Sequence, residues 1–138
     1  MSTIISPEIS KKKPYHIPKH RYYELKHFCL QYPEWKKKLS EIDISNGSSL
    51  IKVTKDSIEF KDPTFSVMEA IDIYERQIEM VESCAVAADP TIANYILEAV
   101  CFGKTFEELK TLRGIPCGRS YFYNAYRKFF WYLDKLRT

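Results

Sequence analysis

The chain has 138 residues, of which 45% are hydrophobic, 28% charged and 14% aromatic, with a net charge of +3. That balance fits one globular domain, or a small domain with an attached arm, and excludes a low-complexity chain. No run approaches the ~18 apolar residues of a membrane span, and the start, MSTIISPEISKKKPYHIP, lacks the basic-then-apolar order of a signal peptide, so the expectation is a soluble, cytoplasmic protein.

The net charge hides a segregation. Residues 10–42 carry nine Lys/Arg against three acids, residues 43–102 four against eleven, and residues 103–138 eight against three. Two basic ends flank an acidic middle. A polyanion feels such local fields within about one Debye length, ~10 Å at 0.1 M salt.

In chain order, residues 1–13 read as a disordered tail with a basic end. From Lys19 to Gln31, Tyr22, Tyr23, Leu25, Phe28 and Cys29 follow a helical stripe that continues to Tyr32. Pro33 suits the first turn of a second helix, 33-PEWKKKLSEI-42, with Trp35, Leu39 and Ile42 on one side and Lys36, Lys37 and Lys38 on the other. Residues 14–42 thus form a basic N-terminal helical pair. Residues 43–61 read as a linker, with a turn signal at Asn46-Gly47 and an extended character in 50-LIKVTKDSIEF-60.

Residues 62–138 read as a C-terminal domain. Asp62 or Thr64 caps a helix from about 65 to 88, with Val67, Ala70, Ile71, Tyr74, Ile78, Val81, Cys84, Ala85 and Ala88 as its apolar stripe. Glu69, Asp72, Glu75, Glu79 and Glu82 form its solvated side. Asp89-Pro90 starts the next helix, which buries Ile92, Ile96, Leu97, Val100 and Cys101 and ends at Gly103. Thr105 and Glu108 make a capping box for a short helix that presents Phe106, Leu109 and Leu112. Gly114 supplies the turn, Ile115 plugs it, and Arg119 to about Leu136 is the last helix. The fold class expected is all-α, a small helical bundle with a C-terminal helix-turn-helix beside a separate N-terminal helical pair.

The last helix is crowded with aromatics. Spacing places Phe122, Tyr126, Phe129, Phe130, Leu133 and Leu136 on a core side and leaves Arg119, Ser120, Tyr123 and Asn124 on an outer edge; Tyr121 and Trp131 fit either role. The first turns of such a helix address base edges in a major groove, where Arg suits guanine and Asn suits adenine. Lys104, Lys110, Arg127 and Lys128, with Lys36, Lys37 and Lys38, are placed for phosphates, which give affinity without sequence information. Double-stranded DNA is therefore the expected partner.

Enzyme signatures are absent: there is no Gly-rich phosphate loop, GxSxG or HExxH. Cys29, Cys84, Cys101 and Cys117 form no CxxC pair and read as buried reduced thiols, with Cys117 near a helix start and a basic residue. His16, His20 and His27 near Cys29 are too loosely spaced for zinc. Neither metal nor cofactor is expected, and no enzymatic activity.

The run 95-YILEAVCFGKTFEELKTLRGIPCGRSYFYNAYRKFFWYL-133, through Arg119, Ser120, Phe122, Tyr123, Arg127 and Lys128, resembles the sigma-70 region-4-like helix-turn-helix of small prophage transcriptional regulators of the RinA/ArpU type. The likeness takes in the acidic helix and covers roughly residues 62–136. Asn124-Ala125-Tyr126 stands where a more basic run is usual. The resemblance implies control of late phage transcription by DNA binding, with contact to RNA polymerase, and no cofactor or chemistry. Two other readings stay open: a phage-encoded inhibitor or adaptor that grips a host protein, and a DNA-recognition subunit of a packaging machine. The 67–88 stripe is long enough to pair with a copy of itself as a homodimer, or to be buried within one chain.

Overall fold

The computed structural model describes residues 15–44 and 67–137. They form α1 (Lys19–Cys29), α2 (Tyr32–Ile44), α3 (Val67–Ala88), α4 (Ala93–Phe102), α5 (Phe106–Arg113) and α6 (Arg119–Leu136). Among the described residues there is no strand, and the protein is all-α. The expected tail 1–13, the extended segment 50–60 and the Asp62/Thr64 cap lie outside the described residues, as does most of the expected linker; α2 runs on to Ile44.

Local chemistry sets the boundaries. Pro18, in an extended conformation, opens α1, and Tyr22 N–H donates to its carbonyl at 2.9 Å. Lys26 and His27 lie in the last turn of α1, where positive charge suits the helix dipole. Helix α4 ends at Gly103, held left-handed at φ 70°, and α5 ends at Gly114 at φ 62°. The two ends share one scheme: Gly103 and Lys104 both donate to the Glu98 carbonyl, and Gly114 and Ile115 both donate to that of Leu109. Carbonyls that a helix end would leave open are thereby satisfied. At the start of α5, Thr105 and Glu108 form the reciprocal capping box, with Glu108 N–H on Thr105 Oγ1 at 3.2 Å and Thr105 N–H on Glu108 Oε1 at 2.9 Å.

One expected start is displaced. Helix α4 begins at Ala93, not at Asp89-Pro90. The Asp89 carboxylate accepts the backbone N–H of Thr91 at 2.9 Å and of Ile92 at 3.4 Å. A short side chain that bonds the backbone two residues on stabilises a turn in competition with helix.

The chain divides into two units. The first contains residues up to Leu30 and from Met80 on; the second spans Gln31–Glu79. Residues 14–42 therefore do not stand as one N-terminal unit: α1 belongs with the C-terminal helices, and α2 with the first part of α3.

In the first unit α1 packs on α4 and α6, and α4 packs on α5 and α6. Tyr22, Leu25, Cys29, Val81, Ile92, Ile96, Val100, Leu109, Phe122, Phe129, Phe130 and Leu133 are the largest of its fully buried side chains. An aromatic chain ties the layers, with ring centroids 5.6 Å apart for Phe106–Phe122, 6.0 Å for Phe122–Tyr126, 5.0 Å for Tyr126–Phe130 and 5.1 Å for Phe130–Tyr22. The Tyr22 and Tyr126 hydroxyls meet at 2.9 Å within this wall. At its edge Arg21 Nε donates to Asp134 Oδ1 at 2.6 Å, so α1 and α6 are joined by charge as well as by apolar contact. The second unit is smaller: Ile42 and Ala70 are buried together, with Val67, Ile71 and Tyr74 packed against them, and Tyr32 meets Trp35 edge-on at 6.4 Å.

Candidate functional site

The surface of interest is the α5–turn–α6 segment. Ile115, just after the left-handed glycine, is buried, so the turn is anchored from within. Along α6 the faces divide by burial. Phe122, Tyr126, Phe129, Phe130 and Leu133 are buried as the spacing predicts, while Ser120, Tyr121 and Asn124 are exposed. Leu136, expected in the core, and Leu112 of α5 are exposed instead, at 56% and 69%.

The four residues expected on the reading edge do not share one environment. Arg119 is exposed; its guanidinium pairs with Glu107 and lies over the rings of Phe106, at 5.4 Å, and Tyr123, at 5.8 Å. Ser120 is open on the first turn. Tyr123 is buried, 9% exposed, with its ring 5.0 Å from Phe122, 5.7 Å from Tyr126 and 6.4 Å from Phe106. It belongs to the aromatic wall and not to the exposed edge. Next to Phe122 and three residues before Tyr126, it falls where a second helix, through Phe106, covers its flank. Asn124 is exposed, and its Oδ1 accepts from Arg127 Nη2 at 3.3 Å.

Of the cations assigned to phosphates, Lys104 and Lys110 are exposed, and Lys104 lines a shallow recess with Glu98, Glu108, Leu109, Leu112 and Arg113. Arg127 is half-buried, with its Nε covered and unpartnered. Lys128 Nζ sits 5.7 Å from the Tyr15 ring, which itself meets Trp131 edge-on at 5.5 Å. Trp131 is half-buried and has Lys135 Nζ over its ring, 4.3 Å from the centroid. Lys36, Lys37 and Lys38 are carried by α2 in the other unit, where Lys36 Nζ lies 5.4 Å from the Tyr32 ring.

Tyr121, left ambiguous by spacing, is half-exposed and donates its hydroxyl to Asp89. That bond, with the backbone donors of Thr91 and Ile92, holds the Asp89 carboxyl below its ordinary range, and it raises the Tyr121 phenol above its own. Tyr121 occupies the complement of the 122/126/129/133 core spacing, and Asn124 and Lys128 follow it on the same edge; that complement was the signal for an outward residue.

Burial dominates the cysteines. Cys84 and Cys101 are pushed up to about 12, and Cys29 is also raised, by burial first and then by its neighbours Cys101 and Cys84. Cys117 is raised by partial burial and by Asp89, so its place near a helix start gives it no thiolate character. All four are free thiols, and among the described residues no cluster of three or more His, Cys, Asp or Glu side chains is arranged to hold a metal. No helix among the described residues is long and apolar enough to cross a membrane.

Neither family models, curated proteins nor solved structures give a match to this chain.

Proposed function

We propose that α5, its glycine turn and α6 act as a helix-turn-helix that binds double-stranded DNA in a sequence-specific way, in the manner of a phage-type transcriptional regulator. The observation that supports this most is the division of α6: its aromatic face is sealed in the core, and a polar, basic edge is left open beside a short helix capped at both ends. A helix held this way can enter a major groove about 12 Å wide without uncovering apolar surface. Arg119 and Ser120, in the first turn, address base edges. The Glu107 partner does not block Arg119, because an exposed ion pair is worth about 0–1 kcal/mol and is screened by salt. Lys104, Lys110, Arg127 and Lys128 supply phosphate contacts.

Selection of bound duplexes from a random pool, followed by a salt series on the winner, tests the reading. Four phosphate contacts predict a slope of log affinity against log salt of about −4, and Arg119→Ala relaxes preference at one base pair by roughly 1–3 kcal/mol. A pool that yields no enriched sequence, with affinity indifferent to salt, would sink it. A protein-binding adaptor is the second reading, favoured by the exposed acids Glu69, Asp72, Glu75 and Glu79 along α3. Its mark is one stoichiometric protein partner with no affinity for duplex DNA.

A further inference from the structure

We infer that Asn124 and Arg127 form a single phosphate-binding unit on α6, in which Asn124 positions the guanidinium and does not read a base. The inference rests on the DNA-binding reading above and names the group of the DNA that this part of the surface takes, a backbone phosphodiester.

The arginines of the chain divide by partner. Arg21 meets Asp134 and Glu24, Arg76 meets Asp72, Arg113 meets Glu98 and Arg119 meets Glu107. Arg127 meets no carboxylate among the described residues; its hydrogen bond is to the Asn124 amide. Yet it is half-buried, with Nε shut away from solvent and unpartnered. A partly desolvated cation with no counter-charge is unfavourable until an anion arrives. Arg137 also meets no acid among the described residues, but it is exposed and lies 3.7 Å from the Phe28 ring centroid.

The amide orientation follows from the same contact. A guanidinium has donors alone, so the Asn124 atom that faces it is the oxygen. Bidentate recognition of adenine needs that oxygen to accept from the base while the NH2 donates to it. Oδ1 keeps a second lone pair, so an adenine held bidentately would have to share that oxygen with Arg127, while the NH2 group only donates. The outward chemistry is then dominated by donors: a guanidinium, an amide NH2 and the adjacent Lys128 ammonium, held near the Tyr15 ring. This donor-rich set, with two positive charges, matches phosphate oxygens, which only accept; a guanine edge also only accepts, and competitor duplexes with single-base changes separate the two. Asn124 and Arg127 are three residues apart, on one face of α6, so the helix itself sets their approach.

The test uses the full chain and a fluorescein-labelled 20-base-pair duplex, with single-base variants of that duplex as competitors. Asn124→Ala and Arg127→Gln are each expected to weaken binding roughly tenfold and to flatten the salt slope by about 1. The double variant is expected to be little weaker than either single one, and the order of preference among the competitor duplexes to stay as in the wild type. Arg127→Lys keeps a charge but not the amide contact, so it retains the salt slope and makes Asn124→Ala silent; it also serves if Arg127→Gln folds poorly. Relaxed preference at one base pair in Asn124→Ala, with the salt slope intact, overturns the inference and makes Asn124 a base reader. An unchanged slope in Arg127→Gln overturns it as well, while leaving DNA binding in place. Wild-type protein that binds no duplex overturns the DNA reading first, and this inference with it.

Discussion

Gly114 is held at φ 62°, and a Cβ built there would meet nothing within 4 Å. The cost of a side chain at this position is therefore backbone strain alone, about 1 kcal/mol for Gly114→Ala. Gly118, in an extended conformation at φ −84° and equally open, has no such strain. Urea midpoints of the two alanine variants should differ in that sense; equal midpoints would show that the turn is held by something other than its left-handed residue. The buried thiols give a second expectation at this scale. Cys84 and Cys101 are pushed from 9.0 up to about 12 by burial. The folded state keeps protons that the unfolded chain releases, so this contribution is fully present below pH 9 and is lost as pH rises from 9 toward 12. The loss is up to about 1.4 kcal/mol per pH unit for each thiol. Urea unfolding at pH 8 and pH 10.5 should show a steeper fall for the wild type than for Cys84→Ala, and parallel falls would contradict it. Single residues were legible in the sequence where their partner is a few positions away. Thr105 with Glu108, Gly103 and Gly114 sit as expected, because capping is local. Asp89 was legible as a capping residue but not as the centre of a turn that also takes the Tyr121 hydroxyl, 32 residues on.

At the scale of elements, periodicity located α1, α5 and α6 closely, because an apolar stripe needs only its own spacing to be seen. It was weaker at deciding how wide a stripe the neighbours would cover. Helix α5 is a short helix with Leu109 and Leu112 both in its apolar pattern; Leu109 is fully buried and Leu112 is 69% exposed. An eight-residue helix turns too few times for spacing alone to separate the packed face from its margin. Leu109→Ala is accordingly expected to cost about 2–5 kcal/mol, and Leu112→Ala to stay within about 0.5 kcal/mol, both read from denaturant unfolding. Comparable losses at the two positions would mean that α5 is covered on its outer side. The candidate site follows the same logic. The exposed edge at Ser120 and Asn124 could be read from spacing, since it is what the aromatic stripe leaves over. Tyr123 could not, because Phe106, which covers it, comes from another helix.

For the whole molecule, the sequence order misleads about which helices belong together. A charge shift and a run of turn residues separate 14–42 from 62–138, and nothing local announces that α1 crosses that gap. In the structure Tyr22, Leu25 and Cys29 are fully buried. Tyr22 meets Phe130 edge-on, its hydroxyl meets that of Tyr126, and Arg21 is paired with Asp134. Helix α1 is thus a wall of the unit that carries α5 and α6. Removing it would uncover the aromatic face of α6, and burial of each large apolar side chain is worth roughly 1.5–3 kcal/mol, against a total stability on the order of 5–15 kcal/mol for a small domain. A fragment of residues 62–138, which the sequence marks as a domain, is therefore expected not to fold cooperatively. It should bind a hydrophobic dye even though every residue of the candidate interface on α5 and α6 is retained. Urea unfolding followed by circular dichroism decides the matter, and a fragment with a sharp transition at the full-length midpoint would show that α1 is dispensable. The weaker substitution Leu25→Ala in the full chain should move the midpoint in the same direction without removing any charge near α6.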